Sequence, residues 1–422
     1  MRCARFVVRV VTGCILAGGV GCTADPLPTT APAAATILAK PSADTQFGSA
    51  ADDAAHAMAS GKAGVAMAGT TAGTLAGQSS AGGTDAFVRL TDKRGVELWA
   101  QQFGTGADDA AFAVGVDRAG IYVGVTSAGA LGGITNLGAS DGSVRALDAA
   151  GAIRWQTRIA SAGADTVFGL TVDRGAVYVT GVLRGPTEGT TVSDADGFVV
   201  KLDAQTGQIL WMTRFAGTTN GDDAARGVTA DGDALFVAVT YTGGVIGAGP
   251  GAEDAYLVRL DATTGAYVWF STIATPMADV AHAVSQVGST AFLTGSRADD
   301  AFVAAFSAAT GQLSWQTTLV SAGSDVATVV GGDRSLVYVG GSTTGAFIGF
   351  SNVGGSDVFH ATLDAATGAV TLLEQIATAS NESALGAWLD GAVWHMVGST
   401  GGALAGVALG GTDAFWLQRA TR

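Results

Sequence analysis

The hexapeptide GGTDAF occurs twice, at 82–87 and at 410–415, near opposite ends of a chain of 422 residues. Variants of it lie between: DGF from Asp196, EDAY from Glu253, DDAF from Asp299 and GSDVF from Gly355. The aspartate that opens each DAF-like segment falls at Asp85, Asp141, Asp196, Asp254, Asp300, Asp357 and Asp413, at spacings of 56, 55, 58, 46, 57 and 56 residues. A Trp follows in constant register at Trp99, Trp155, Trp211, Trp269 and Trp315, with Leu372 in its place in the sixth unit. One such unit cannot bury its own apolar face, so units must stack on one another. Seven of them predict a closed array, not a string of independent domains.

Each unit contains four strand-like segments. In unit three these are VFGLTVD, AVYVTG, GFVVKLD and QILWMTRF, all rich in β-branched and aromatic residues. Between the last two sits LDAQTGQ, which recurs as LDATTGA, SAATGQ and LDAATGA. Its Asp suits bonding to the turn's own N–H groups, and its Gly supplies the backbone freedom of the bend. The abundance of Gly (63) over Pro (7) fits many tight turns between short strands. The expected fold is therefore all-β: a seven-bladed β-propeller of four-stranded antiparallel blades. The first segment of each unit agrees with this. Counting from the acid before it, positions +4 and +6 are mostly small and position +5 is mostly large, as an innermost strand near a crowded axis requires. Trp388, at +6 in unit seven, is the exception.

The seventh unit ends soon after DAFWLQR and lacks a fourth strand. The segment 36–47, TILAKPSADTQF, precedes the first strand of unit one and is expected to close the ring by pairing with DAFWLQR. In register it places Ala43 where other units carry Trp, and Pro41 is tolerable on an outermost strand. The propeller is thus expected to span 36–422.

The N-terminus reads as an export signal over 1–21: three arginines without an acid, then a short apolar run, Val10–Gly21. Twelve residues are too few to span a bilayer. Cys22 opens a Pro/Thr/Ala-rich stretch, 22–35, whose composition suits a flexible tether. A cysteine at this junction resembles a bacterial lipoprotein cleavage site, which implies lipid on Cys22 and an outer-membrane or cell-surface location; the alternative is an ordinary secretory leader with an incidental Cys22, giving a periplasmic or secreted protein. The chain's three cysteines, Cys3, Cys14 and Cys22, all lie here, so the propeller has no thiolate chemistry.

The repeated pattern of D-x-A, VD-x-G-x-VYV-T-G, GGTDAFV and a following Trp resembles the SBBP-type β-propeller repeat of bacterial surface and secreted proteins. The LDAxTGxxxW segment is similar to the tryptophan-docking repeat of pyrroloquinoline-quinone-type propellers. Neither resemblance implies one activity, because such propellers serve as enzymes, lectins and scaffolds.

Two rings of acids are expected on one face. Asp53, Asp109, Asp165, Asp223, Asp279, Asp325 and Glu382 enter the first strands; Asp85, Asp141, Asp196, Asp254, Asp300, Asp357 and Asp413 enter the third. Carboxylates in this number suit Ca²⁺. Recurrence in every unit favours a structural task instead, each acid capping its own turn, and no metal or other cofactor is expected. His56 and His282 hold the same position in units one and five, so the ring is expected to keep them apart, and the four histidines show no metal-ligand spacing. The linker between second and third strands shrinks to SRAD in unit five, which accounts for the 46-residue spacing. The notch so formed is the expected ligand site, lined by Asp279, His282, Arg297 and Asp299, with Trp388 partly filling the channel mouth.

A formal charge of −14 disfavours nucleic acid and anionic lipid as main partners. The expectation is a monomeric, non-catalytic, lipid-anchored propeller that binds a protein or glycan. The alternatives are a quinoprotein-like enzyme, which would need single, unrepeated Glu, Asn and Asp residues around its cofactor, and an outer-membrane assembly scaffold lipoprotein.

Overall fold

The computed structural model describes residues 44–185, 195–217, 221–242 and 253–421. They form seven four-stranded antiparallel sheets and no helix. Blade one is typical: Asp53–Gly61 innermost, then Gly64–Thr71, Asp85–Thr91 and, outermost, Glu97–Phe103. The innermost strands of the other blades are Asp109–Val116, Thr166–Asp173, Ala224–Asp231, Asp279–Val287, Asp325–Gly332 and Glu382–Asp390. Each packs against the next around the axis, and that of blade seven packs on that of blade one. The ring is closed.

Closure uses the expected segment. Thr45–Phe47 is the fourth strand of blade seven, antiparallel to Asp413–Ala420, with Thr45 opposite Trp416, Gln46 opposite Phe415 and Phe47 opposite Ala414. Gln46 does what its counterparts on other fourth strands do. Its Nε2 donates to Asp413 Oδ2 at 2.7 Å and to the Gly402 carbonyl at 2.9 Å. Gln102 Nε2 donates likewise to Asp85 Oδ2 and the Gly73 carbonyl, both at 2.8 Å. The earlier part of the closing segment, with Ala43 and Pro41, lies outside the described residues.

The core is distributed between blades, because every cluster of buried apolar residues joins two adjacent sheets. Leu90 and Val88 of blade one meet Val114 and Val123 of blade two; Phe198 and Val200 of blade three meet Tyr122 and Val144 of blade two. The repeated Trp locks the joints from outside. Trp99 Nε1 donates to the Ala149 carbonyl at 3.0 Å, Trp155 Nε1 to Ala204 at 3.2 Å and Trp315 Nε1 to Ala365 at 3.0 Å, each acceptor in the next blade's Asp-x-x-Thr-Gly turn or its equivalent. The turn glycine is required for this approach. Gly207 has φ +73°, and a Cβ there would stand 2.5 Å from Trp155 Cε3.

Candidate functional site

The face where the first strands begin carries the two acid rings; nearly all of these acids are buried, and many accept hydrogen bonds through one carboxylate oxygen while the other has none among the described residues. Asp53 Oδ2 accepts the Ser49 N–H at 2.5 Å and the Ser49 hydroxyl at 3.0 Å. Asp109 takes Thr105 N–H and hydroxyl in the same way, Asp279 takes those of Thr275, and Asp165 those of Ser161. Glu382 reaches Thr378 and Thr400, Asp325 the Ser321 N–H, and Asp223 the Gly217 and Thr242 N–H groups. In the second ring Asp85, Asp141, Asp357 and Asp413 accept the N–H groups of Ala81, Leu137, Val353 and Leu409, while Asp196 is paired with Arg214. Asp254 is buried. Asp300, beside the short hairpin, is less enclosed; burial and then Asp325 and Asp299 raise its carboxyl above its usual range. Most of these acids thus staple the loop that delivers their strand. Among the described residues no group of three or more His, Cys, Asp or Glu is arranged to hold a metal ion.

The shortened linker of blade five is a two-residue hairpin. Thr290–Arg297 and Asp300–Ser307 are joined by Ala298, at φ +55°, and Asp299. Arg297 is half-buried, opposite Asp279 in the pairing of the first two strands, and makes no ion pair among the described residues. Asp299 is exposed and accepts the Ser324 hydroxyl at 3.3 Å. Asp279 is fully buried beneath them.

Two residues expected at the notch sit elsewhere. Trp388 is six positions beyond Glu382 along the strand, roughly 20 Å from the acidic face. It packs with Met58, Val65 and Trp416 between blades seven and one, and stacks on His395 with ring centroids 5.1 Å apart. Its neighbour across the sheet is what it fills against, not the channel mouth. His282 points to the axis, because every innermost strand but one slips register by one residue between positions +2 and +4; in Ala224–Asp231 the irregularity spans Ala225 to Val228. The extra residue of each bulge leaves the ladder and turns inward.

Those seven bulge residues are His56, Phe112, Phe168, Arg226, His282, Thr328 and Leu385, and they line one axial cavity of about 220 Å³. His56 and His282 therefore share a cavity that the ring was expected to divide. Strict alternation along the strand hides this position, since it holds only where no residue is inserted. His56 Nε2 pairs with Thr70 Oγ1 at 3.1 Å and its ring packs on Phe112, with centroids 4.8 Å apart. Arg226 lies over Phe168, 5.7 Å from the ring centroid, and Nη1 donates to Thr240 Oγ1 at 3.3 Å. Burial lowers both histidines to about 4, with the Arg226 charge adding to the effect at His282, so both imidazoles are neutral near pH 7. A larger crevice of about 480 Å³ between blades six and seven is lined by Gly354, Gly355, Ser380, Asn381, Gly401 and Thr412 among others, and none of its lining residues is charged. The axial cavity has the more varied chemistry.

Comparison with known proteins bears on the whole ring. A family model described as outer membrane protein assembly factor BamB matches residues 140–405. Solved structures that resemble the chain include BamB from Moraxella catarrhalis, at 16% identity over 89% of this chain and 99% of that one, with a TM-score of 0.42. Quinohemoprotein alcohol dehydrogenase from Comamonas testosteroni is 11% identical over 89% and 76%, with a TM-score of 0.47. Pyrococcus horikoshii acylaminoacyl peptidase is 9% identical over 88% and 52%, with a TM-score of 0.47. No curated protein matches the sequence. The match over 140–405 spans more than half of the chain, and with the repeat and the propeller it places this protein in the BamB family of PQQ-like propellers.

Proposed function

We propose that this protein is a non-catalytic propeller of the cell envelope that docks a protein or glycan partner on its acid-bearing face. The observation that carries the reading is the two-residue hairpin of blade five, where the second and third strands of other blades are joined by longer loops. This hairpin sets Arg297, a cation with no ion-pair partner among the described residues, opposite the buried Asp279 at the one place where the rim of longer loops is interrupted. Family membership supports a scaffold role, since the matched family is described by an assembly factor. The buried acids contribute loop order, because most of them accept hydrogen bonds from the loop ahead of their own strand.

Anchoring belongs to the same reading. Lipid on Cys22 would hold the propeller at a membrane without a spanning helix, since each buried CH₂ contributes about 0.8 kcal/mol. Cys22 lies outside the described residues. The test is a pull-down from envelope extracts with the chain and with Arg297→Ala/Asp299→Ala. Loss of the captured partner supports the notch; capture unchanged by that pair but abolished by changes in the 128–140 loop of blade two overturns it. Cys22→Ser should move the protein from the membrane to the soluble fraction. A quinoprotein-like enzyme is the second reading, supported by the LDAxTGxxxW repeat, and a quinone absorbance band on purified protein would establish it.

A further inference from the structure

We propose that the axial cavity is a binding site for a small organic anion, one carboxylate or phosphate on a compact apolar or aromatic body, held by Arg226 and His282. This goes beyond partner docking and stands apart from it.

The first argument is the pattern within the repeat. Two positions after the acid, the innermost strands carry Ala55, Ala111, Val167, Ala225, Ala281, Ala327 and Ala384, small residues at a packing position. One position later the same strands carry two His, two Phe, an Arg, a Thr and a Leu. Filling an axis would be served by one residue type used seven times. A mixed ring is what an asymmetric ligand requires, polar on one side and apolar on the other.

The second argument is the state of the polar groups. Arg226 makes no ion pair among the described residues, and its one side-chain hydrogen bond there is to Thr240 Oγ1, so most of its fork of donors is free to meet an oxyanion side-on. His282, in the next blade, lines the same cavity, and its ring makes no hydrogen bond among the described residues. An anion beside Arg226 would gain a guanidinium already largely removed from water, together with an imidazole N–H. Phe168 and Phe112 continue the ring on the other side of Arg226 and give the apolar body a wall. Thr328 is spent on the Ala384 carbonyl at 2.6 Å, and His56 on Thr70. The polar end of the site is therefore Arg226 and His282. The volume equals that of about seven waters at ~30 Å³ each, enough for a body the size of benzoate.

Calorimetric titration of the purified chain near pH 7 with benzoate, phenyl phosphate and neutral benzyl alcohol tests this. One anion should bind saturably at one site, and which of the two binds better identifies the headgroup. Arg226→Gln should weaken it at least tenfold, about 1.4 kcal/mol, Arg226→Lys by less, and benzyl alcohol should bind far more weakly than the anion. The ring resonances of His282, identified by their loss in His282→Gln, should shift on adding the anion. The proposal is overturned if neither anion saturates, if Arg226→Gln binds as the parent does, or if benzyl alcohol binds equally well. Should Arg226→Gln not fold, full anion affinity in both His282→Gln and Phe168→Ala overturns it instead. None of these readouts depends on an envelope partner, so a failed pull-down leaves the result standing.

Discussion

Arg419 ties the last strand of the ring to the residue just before the first: its Nη1 lies 3.3 Å from Asp44 Oδ2. Asp44 Oδ1 also accepts the Gln418 N–H at 2.9 Å, and Arg419 Nε is 3.4 Å from Glu374 Oε2 in blade six. The Asp44 side chain is only 3% exposed. One guanidinium thus joins blade six, blade seven and the closing segment.

Removing Asp44 leaves Arg419 with Glu374 as its counter-ion, so the cost should stay below the roughly 3 kcal/mol of a fully orphaned buried charge. Asp44→Ala should lower the melting temperature by several degrees. Asp44→Asn, which keeps an acceptor for Gln418, should cost less. Deleting 36–47, which removes the Thr45–Phe47 strand, should lower stability further and promote aggregation, because it bares the edge of Asp413–Ala420. Differential scanning calorimetry and light scattering report both; a truncated chain that melts like the parent would refute closure by this segment.

The Trp–turn joints should be energetically large. Trp155→Ala removes a ring packed on Tyr122 (centroids 5.9 Å apart) and a hydrogen bond to Ala204; it should cost about 3–5 kcal/mol in urea unfolding. Gly207→Ala should also destabilise, through a Cβ pressed on the same ring and a positive φ. In the double mutant the two costs should be less than additive, since Trp155→Ala removes the clash.

Acid should weaken the fold in two stages. His56, His282 and His395 lie at about 4 in the folded chain, each chiefly through burial. At His395 the Trp416 N–H, 3.1 Å away, also occupies Nδ1 and leaves no room for a proton there. The unfolded chain takes up these protons near 6.5 while the folded one does not, so stability falls as pH drops from about 6.5 to about 4. Glu374 behaves as a carboxylate held below its usual range, by its close contact with His360 first and also by the Arg419 guanidinium. Its contribution is present above its ordinary value and is lost as pH falls through its folded value. Melting temperature against pH should show the first slope, reduced in His282→Gln; a flat curve between 6.5 and 4 would contradict it.

The acid staples should be insensitive to chelation. Asp109 gives its carboxylate to Thr105 N–H and hydroxyl, so EDTA should leave the melting temperature unchanged. Asp109→Ala should cost about 1–3 kcal/mol for two unmade bonds. A chelator-dependent drop in melting temperature would instead assign Ca²⁺ to this face.

The number of blades, the strand order within them and the closing segment were all legible in the sequence, because each depends on local periodicity or on a repeated register. Gln46 and Gln102 illustrate this, two residues in the same place relative to their strands making the same bonds. Trp388 and His282 illustrate the limit. Residue spacing puts Trp388 at a position that is small in other repeats, but whether it turns to the axis or to blade one depends on the room beside Met58 and Val65. His282 reaches the axis through a bulge, a backbone slip that leaves no mark on the apolar pattern around it.

What the chain determined alone is a ring: seven units whose apolar faces can be buried only against each other, with the first and last strands, Thr45–Phe47 and Asp413–Ala420, brought to one seam. What the tertiary structure alone decided is which seven side chains meet on the axis. They are separated by 56 to 58 residues in sequence, or by 46 across the short blade, and no local rule links them. Only closing the ring makes His56, Arg226 and His282 parts of one cavity. Repetition specifies the contacts every blade makes alike, and the unlike ones exist only once the blades converge.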